Sequence, residues 1–143
     1  MKMGIKYFAK KLLQLFPECQ EEYQNNLKHY GEILGHVYFG NNINPVLSEL
    51  LQSNQEKILI KKHIDFIEDM YCRGDYDVQN VVIVTILAYL GDDETVLRNA
   101  FTYFSEDLML ASKEIEAFWG RRDIHIYRRH GKTFADWEKI APY

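Results

Sequence analysis

The chain has 143 residues, a formal net charge of −4, 47% hydrophobic and 14% aromatic residues, and only three Pro and eight Gly. A domain of this size buries roughly two-thirds of its unfolded surface, and the composition excludes a disordered linker. No window approaches the ~18 apolar residues needed to cross a bilayer as a helix.

The first twenty residues, MKMGIKYFAKKLLQLFPECQ, lack the uninterrupted apolar region of a secretory signal because Lys6, Lys10 and Lys11 break it. Cys19 and Cys72 make neither a CxxC pair nor a metal-ligand cluster, so reduced thiols and a cytoplasmic location are expected. Residues 5–16 put Ile5, Phe8, Leu12, Leu13 and Phe16 on one face with the lysines opposite, and Pro17 ends the run. Such a helix can lie on a membrane surface. A single apolar face is also what any helix docked on a core requires, and docking is the expectation. A second helix is expected over 18–30.

Residues 31–44, GEILGHVYFGNNIN, read either as a helix with a break or as a packed loop, because Gly31, Gly35 and Gly40 weaken helix propensity. Their spacing matches neither a P-loop nor a dinucleotide fingerprint. Asn44 and Pro45 read as N-cap and first position of a helix running to about Gln52. Ser53 and Glu56 have capping-box spacing and open a long helix near 55–73, with Ile60, Ile64, Ile67 and Tyr71 as its buried stripe. Arg73, Gly74 and Asp75 close it.

Residues 77–90, DVQNVVIVTILAYL, predict a helix capped by Asp77 and buried on nearly all sides. Asp92, Asp93 and Glu94 then favour the start of another helix through the macrodipole, with Val96, Leu97, Ala100, Phe101 and Phe104 inward. Ser105 caps a further helix whose Leu108, Ser112, Ile115 and Trp119 face the core. The expectation is an all-α single domain of six to eight helices, either an antiparallel bundle or a short HEAT-like stack. After Gly120 the chain turns basic: residues 120–132 carry Arg121, Arg122, Arg128, Arg129 and Lys132 against Asp123, and a short last helix is expected from Thr133.

Three clusters invite a chemical reading. Arg121 and Arg122 with His125 and His130 resemble a phosphate-contacting set, but the Arg-to-His spacing of the helical ribonucleases is absent. This basic arm is expected to fold back on acidic helices, with nucleic-acid contact as the alternative. His29, Glu32 and His36 share a helical face only if 29–36 is helical, and two glycines oppose that. Asp65, Glu68 and Asp69 crowd carboxylates at i, i+3 and i+4, on the polar side of an amphipathic helix instead of in a pocket. With no nucleophile elbow or zinc signature, neither an enzyme nor a metal or cofactor site is expected.

Charge is the strongest signal. Residues 65–116 hold twelve Asp and Glu against Arg73, Arg98 and Lys113. Interleaved with apolar residues at helical spacing, these acids predict a folded surface that steers a basic protein partner. The candidate contact set is Asp65, Glu68, Asp69, Tyr71, Asp75, Tyr76, Asp77, Asp92, Asp93 and Glu94, with Tyr89 and Tyr103 as further aromatic anchors. The segments HVYFGNNINPVLSELL (36–51), DFIEDM (65–70) and VVIVTILAYLGDDETVLRNA (81–100) resemble those of small all-helical bacterial proteins of polymorphic-toxin and contact-dependent-inhibition loci, whose proposed role is immunity. The resemblance covers about residues 30–115 and implies a non-enzymatic inhibitor that binds a cognate toxin domain, possibly a nuclease, and occludes its active site. It transfers no functional residues. The alternatives are a helical-repeat adaptor, or a nucleic-acid-binding protein using Arg121, Arg122, Arg128, Arg129 and Lys132.

Overall fold

In the computed structural model the structure describes residues 1–120, and the basic segment and expected last helix lie outside the described residues. Among the described residues, seven helices form an all-α single-domain bundle. They are α1 (Ile5–Leu15), α2 (Gln20–Tyr30, entered through a 3-10 turn at Pro17–Cys19), α3 (Gly35–Ser53), α4 (Lys57–Arg73), α5 (76–90), α6 (Glu94–Phe101) and α7 (Glu106–Trp119). Among the described residues, no helix is long and apolar enough to cross a membrane.

The central element is α3, which packs against α1, α2, α4, α5 and α6. It buries Tyr38, Phe39, Ile43, Leu47 and Leu51 completely or nearly so. Burying each such side chain contributes about 1.5–3 kcal/mol, and that explains a departure from expectation. The helix starts at Gly35 and runs unbroken through Pro45, so Asn44 is an interior residue and not an N-cap. Proline deprives the helix of one backbone bond, but apolar side chains on both sides of it hold the helix against the core. The left-handed Gly31 (φ 74°) separates α3 from α2, and buried Asn26 secures the connection by accepting the Leu34 N–H at 3.0 Å.

Two predicted caps are relocated. Ser53 closes α3, its hydroxyl turned back to the Leu50 carbonyl at 3.2 Å, so no capping box forms and α4 begins at Lys57. Left-handed Asn54 ends α3. The N-cap of α5 is Asp75 and not Asp77: its carboxylate accepts the Val78 N–H at 3.0 Å. The chain reaches that cap through a tight corner. A Cβ on Gly74 would fall 2.2 Å from the Met70 carbonyl oxygen and 2.3 Å from Val78. Met3 pairs with the corner, donating to the Arg73 carbonyl and accepting from the Asp75 N–H, both at 2.8 Å.

Helix α5 is not buried on nearly all sides. Its middle, Val82–Leu87, is a π-turn in which the Ala88 N–H reaches the Ile83 carbonyl. The widened turn keeps Val78, Val82, Ile86 and Leu90, spaced by four, against the core and turns Val84 outward. Trp119 is the other exception. Leu108, Ser112 and Ile115 of α7 are buried as expected, but Trp119 belongs to the last turn and is 57% exposed. There it lies beside the outer face of α5 and not in the core.

Candidate functional site

The acids of α4 have local partners. Helices α1 and α4 lie side by side, joined by the edge-to-face rings of Phe8 and Phe66 and by the Lys62 ammonium donating to the Leu15 carbonyl at 2.9 Å. Asp69 pairs with Lys11 across this seam and with Arg73 one turn along α4. The Arg73 guanidinium, aided by Lys11, holds the Asp69 carboxyl at about 2, below the usual carboxylate range. Asp65 pairs with Lys61 at 2.9 Å. Glu68 accepts the Ser105 N–H at 2.7 Å, tying α4 to the start of α7, where Ser105 caps Leu108 as the sequence predicts.

The later acids divide the same way. Asp75 caps α5, and Asp93 caps α6 by accepting the Thr95 and Val96 N–H groups at 2.8 and 3.1 Å. Glu94 binds Arg98 along one turn. Six of the ten residues expected to contact a partner therefore also hold the fold in place. Tyr71 is half-buried, and burial raises its hydroxyl pKa. Tyr103 is engaged too, its hydroxyl donating to Asn54 at 2.7 Å. Tyr76, Asp77 and Asp92 are exposed. Asp77 and Asp92 stand at opposite ends of α5, which spans about 22 Å at 1.5 Å per residue. The acids of 65–77 and 92–94 thus do not gather into one patch.

Between those ends the outer face of α5 carries a groove of about 430 Å³, lined by Asn44, Val84, Thr85, Ala88, Tyr89, Asp92 and Trp119. Val84 is 44% exposed and Tyr89 41%. The π-turn builds the groove's inner wall. Thr85 sits where Gly40 lets α3 approach closely, since a Cβ on Gly40 would stand 3.1 Å from the Thr85 methyl. His36 binds the Thr85 hydroxyl through Nδ1, and Asn44 donates through Nδ2 to the Thr85 carbonyl at 3.2 Å. An exposed apolar and aromatic floor with a carboxylate at its edge has the make-up of a protein-binding hot spot.

The other concavities offer less chemistry. A 90 Å³ space lies between Phe16, Cys19, Leu59 and His63. Burial pushes the Cys19 thiol up to about 11, which leaves it protonated and unreactive at neutral pH. His63 stacks on Phe16, with ring centroids 4.2 Å apart, and bonds the Leu59 carbonyl at 3.0 Å. Among the described residues no three His, Cys, Asp or Glu converge as metal ligands.

Asn44, Val84, Thr85, Ala88 and Trp119 are the residues sequence reasoning missed at the groove. Asn44 was hidden by the N-cap signature with Pro45, and Val84 by an apolar run that carries no mark of a π-turn. Trp119 sits at an inward spacing in its helix, so periodicity assigned it to the core. Arg121, Arg122, Arg128, Arg129 and Lys132 lie outside the described residues. No curated protein and no solved structure matches the chain. A family model described as a domain of unknown function, DUF7674, matches residues 9–120, and the chain belongs to that family.

Proposed function

We propose that this protein is a non-enzymatic immunity protein of the bacterial cytoplasm, which binds a cognate toxin domain and blocks it. The outer face of α5 is its docking surface, and one observation carries this: Val84, Tyr89 and Trp119 stand exposed around one groove whose edge bears Asp92. A contiguous exposed patch of apolar side chains marks a contact surface more often than scattered ones do. The acid surplus of residues 65–116 supports a basic partner, because a negative surface accelerates encounter with one. Nucleases fit that description through their phosphate-binding clefts. The contact set is narrower than charge alone suggests, with Tyr89, Asp92 and Trp119 at the groove and Tyr76 and Asp77 at the other end of α5. Asp65, Glu68, Asp69, Asp75, Asp93 and Glu94 serve it by holding the helices in place.

Co-expression with the toxin domain encoded beside its gene tests the proposal. Rescue of growth and a complex that survives purification are expected. Undiminished toxicity with no complex formed overturns it.

A further inference from the structure

The small space where α1 ends against α4 holds a polar atom that its surroundings leave unsatisfied. His63 is only 5% exposed, its ring lies on Phe16, and its Nδ1 meets the Leu59 carbonyl at 3.0 Å. A carbonyl only accepts, so Nδ1 carries the proton and Nε2 is a bare acceptor in the neutral ring. Burial favours that neutral form. Among the described residues Nε2 meets no donor, yet it is not sealed from solvent. The space beside the ring is the 90 Å³ cavity that His63 lines with Leu12, Phe16, Ile43, Val46 and Leu59. Val46 is 45% exposed, so the cavity reaches the surface there.

We propose that this cavity is a binding site for a short aliphatic alcohol, whose hydroxyl donates to His63 Nε2 and whose carbon chain lies on the apolar walls. The site is separate from the docking face on α5 and adds a small-molecule ligand to the protein. Size selects the class. An apolar cavity of about 150 Å³ takes one benzene ring, so 90 Å³ holds roughly four heavy atoms and excludes a ring. Polarity selects the single hydroxyl. A bound water calls for about three hydrogen-bond partners, and apolar walls beside one acceptor serve it poorly. The Asn42 amide nitrogen, also at the cavity, is committed to the Tyr38 carbonyl at 2.9 Å. The Cys19 thiol stays protonated there. Charge selects a neutral ligand, because Lys62 and Glu18 act on the ring with opposite sign and neither an anion nor a cation gains from the pair. An alcohol meets the bare acceptor with its one donor and covers the rest of the cavity with carbon.

The test uses the whole chain with 1-butanol and methyl propyl ether, which match in heavy atoms and differ in the O–H donor. The ring nitrogens of His63 are followed by long-range 1H–15N correlation spectra just above neutral pH. A saturable movement of the Nε2 signal at millimolar 1-butanol is expected, with binding of the ether roughly fivefold weaker. No saturable movement with the alcohol, or equal responses to both probes, overturns the proposal. An Nε2 signal that is already hydrogen-bonded without a probe, and that 1-butanol does not move, assigns the cavity to a fixed water and overturns it as well. This comparison needs no variant to fold. Val46→Phe, which closes the cavity's mouth, should abolish the response to 1-butanol while leaving the Nδ1 signal in place. A full response in that variant puts the alcohol elsewhere and overturns the assignment.

Discussion

The α1–α4 flank and the α5–α7 flank use carboxylates in opposite ways. On the first, Asp65 and Asp69 are interleaved with Lys11, Lys61 and Arg73, and their charge is spent joining one helix to the next or one turn to another. On the second, Asp92 edges a groove floored by side chains that the core does not cover. The same residue type thus serves packing on one flank and display on the other. What separates them is the neighbour. Four lysines and no acid precede residue 17, so α1 supplies cations to the face of α4 that it covers. The residues that line the groove on α5 beside Asp92 are uncharged.

The largest expected effect comes from breaking the first flank. Phe8 is fully buried in α1 and meets Phe66 of α4 edge to face, with ring centroids 6.2 Å apart. Phe8→Ala leaves a cavity in that seam and should cost about 3–5 kcal/mol in urea unfolding. The second flank should respond in the reverse manner. Tyr89→Ala is expected to leave stability within about 0.5 kcal/mol while weakening partner binding by roughly thirtyfold, about 2 kcal/mol. Calorimetric titration against the purified partner measures it. A large loss of stability with unchanged affinity would make Tyr89 a packing residue and erase the contrast.

Much of this architecture was legible beforehand, because helical periodicity reports which side chains a core removes from water. The stripe Ile60, Ile64 and Ile67 is buried, and Ser105 caps α7. What failed were features set by tertiary packing. Pro45 lies within α3 because burial of Ile43 and Leu47 on either side outweighs one lost backbone bond. The π-turn at 82–87 carries no sequence mark, yet it decides that Val84 faces outward. The acidic clusters were correctly located on helices and turns, but a charge count cannot reveal which acids cap a helix or meet a lysine from a segment sixty residues away. The groove was therefore the least legible part, since three of its walls depend on those packing outcomes.

Asp69 gives the intermediate effect. Asp69→Asn keeps the shape and removes the charge that meets both Lys11 and Arg73, and should cost about 1–2 kcal/mol given partial exposure of the site. The folded state holds this carboxyl at about 2, below its unfolded value. Its stabilisation is therefore complete above pH ~4 and is lost as pH falls toward about 2. Urea midpoints between pH 5 and 2 should fall more steeply for the wild type than for Asp69→Asn. His63 adds a smaller contribution of the same sign at higher pH. Burial lowers its folded pKa, helped by Lys62 and opposed by the Leu59 carbonyl and Glu18. The unfolded chain then takes up the proton first, and stability declines as pH falls below ~6.5. His63→Leu should flatten that limb, and an unchanged slope between pH 7 and 5 would assign it to other groups.

Asp65 is the smallest and most discriminating case. It was an expected contact residue equal in standing to Asp92, and both are exposed. Its pair with Lys61 is a solvent-facing i,i+4 bridge with both side chains more than half exposed, a type that contributes about 0.3–0.5 kcal/mol. Asp65→Asn should therefore change stability by no more than that. It should also leave the partner's association rate nearly untouched at physiological salt, because Lys61 already cancels its field at short range and screening acts within about 8 Å. Asp92→Asn should slow association and raise the dissociation rate together, since the proposed docking face puts its carboxylate at the contact. Stopped-flow association at low and physiological salt compares the two. Equal effects from both substitutions would mean that the partner senses the whole acidic half of the molecule, and the division between a packing flank and a display flank would fail.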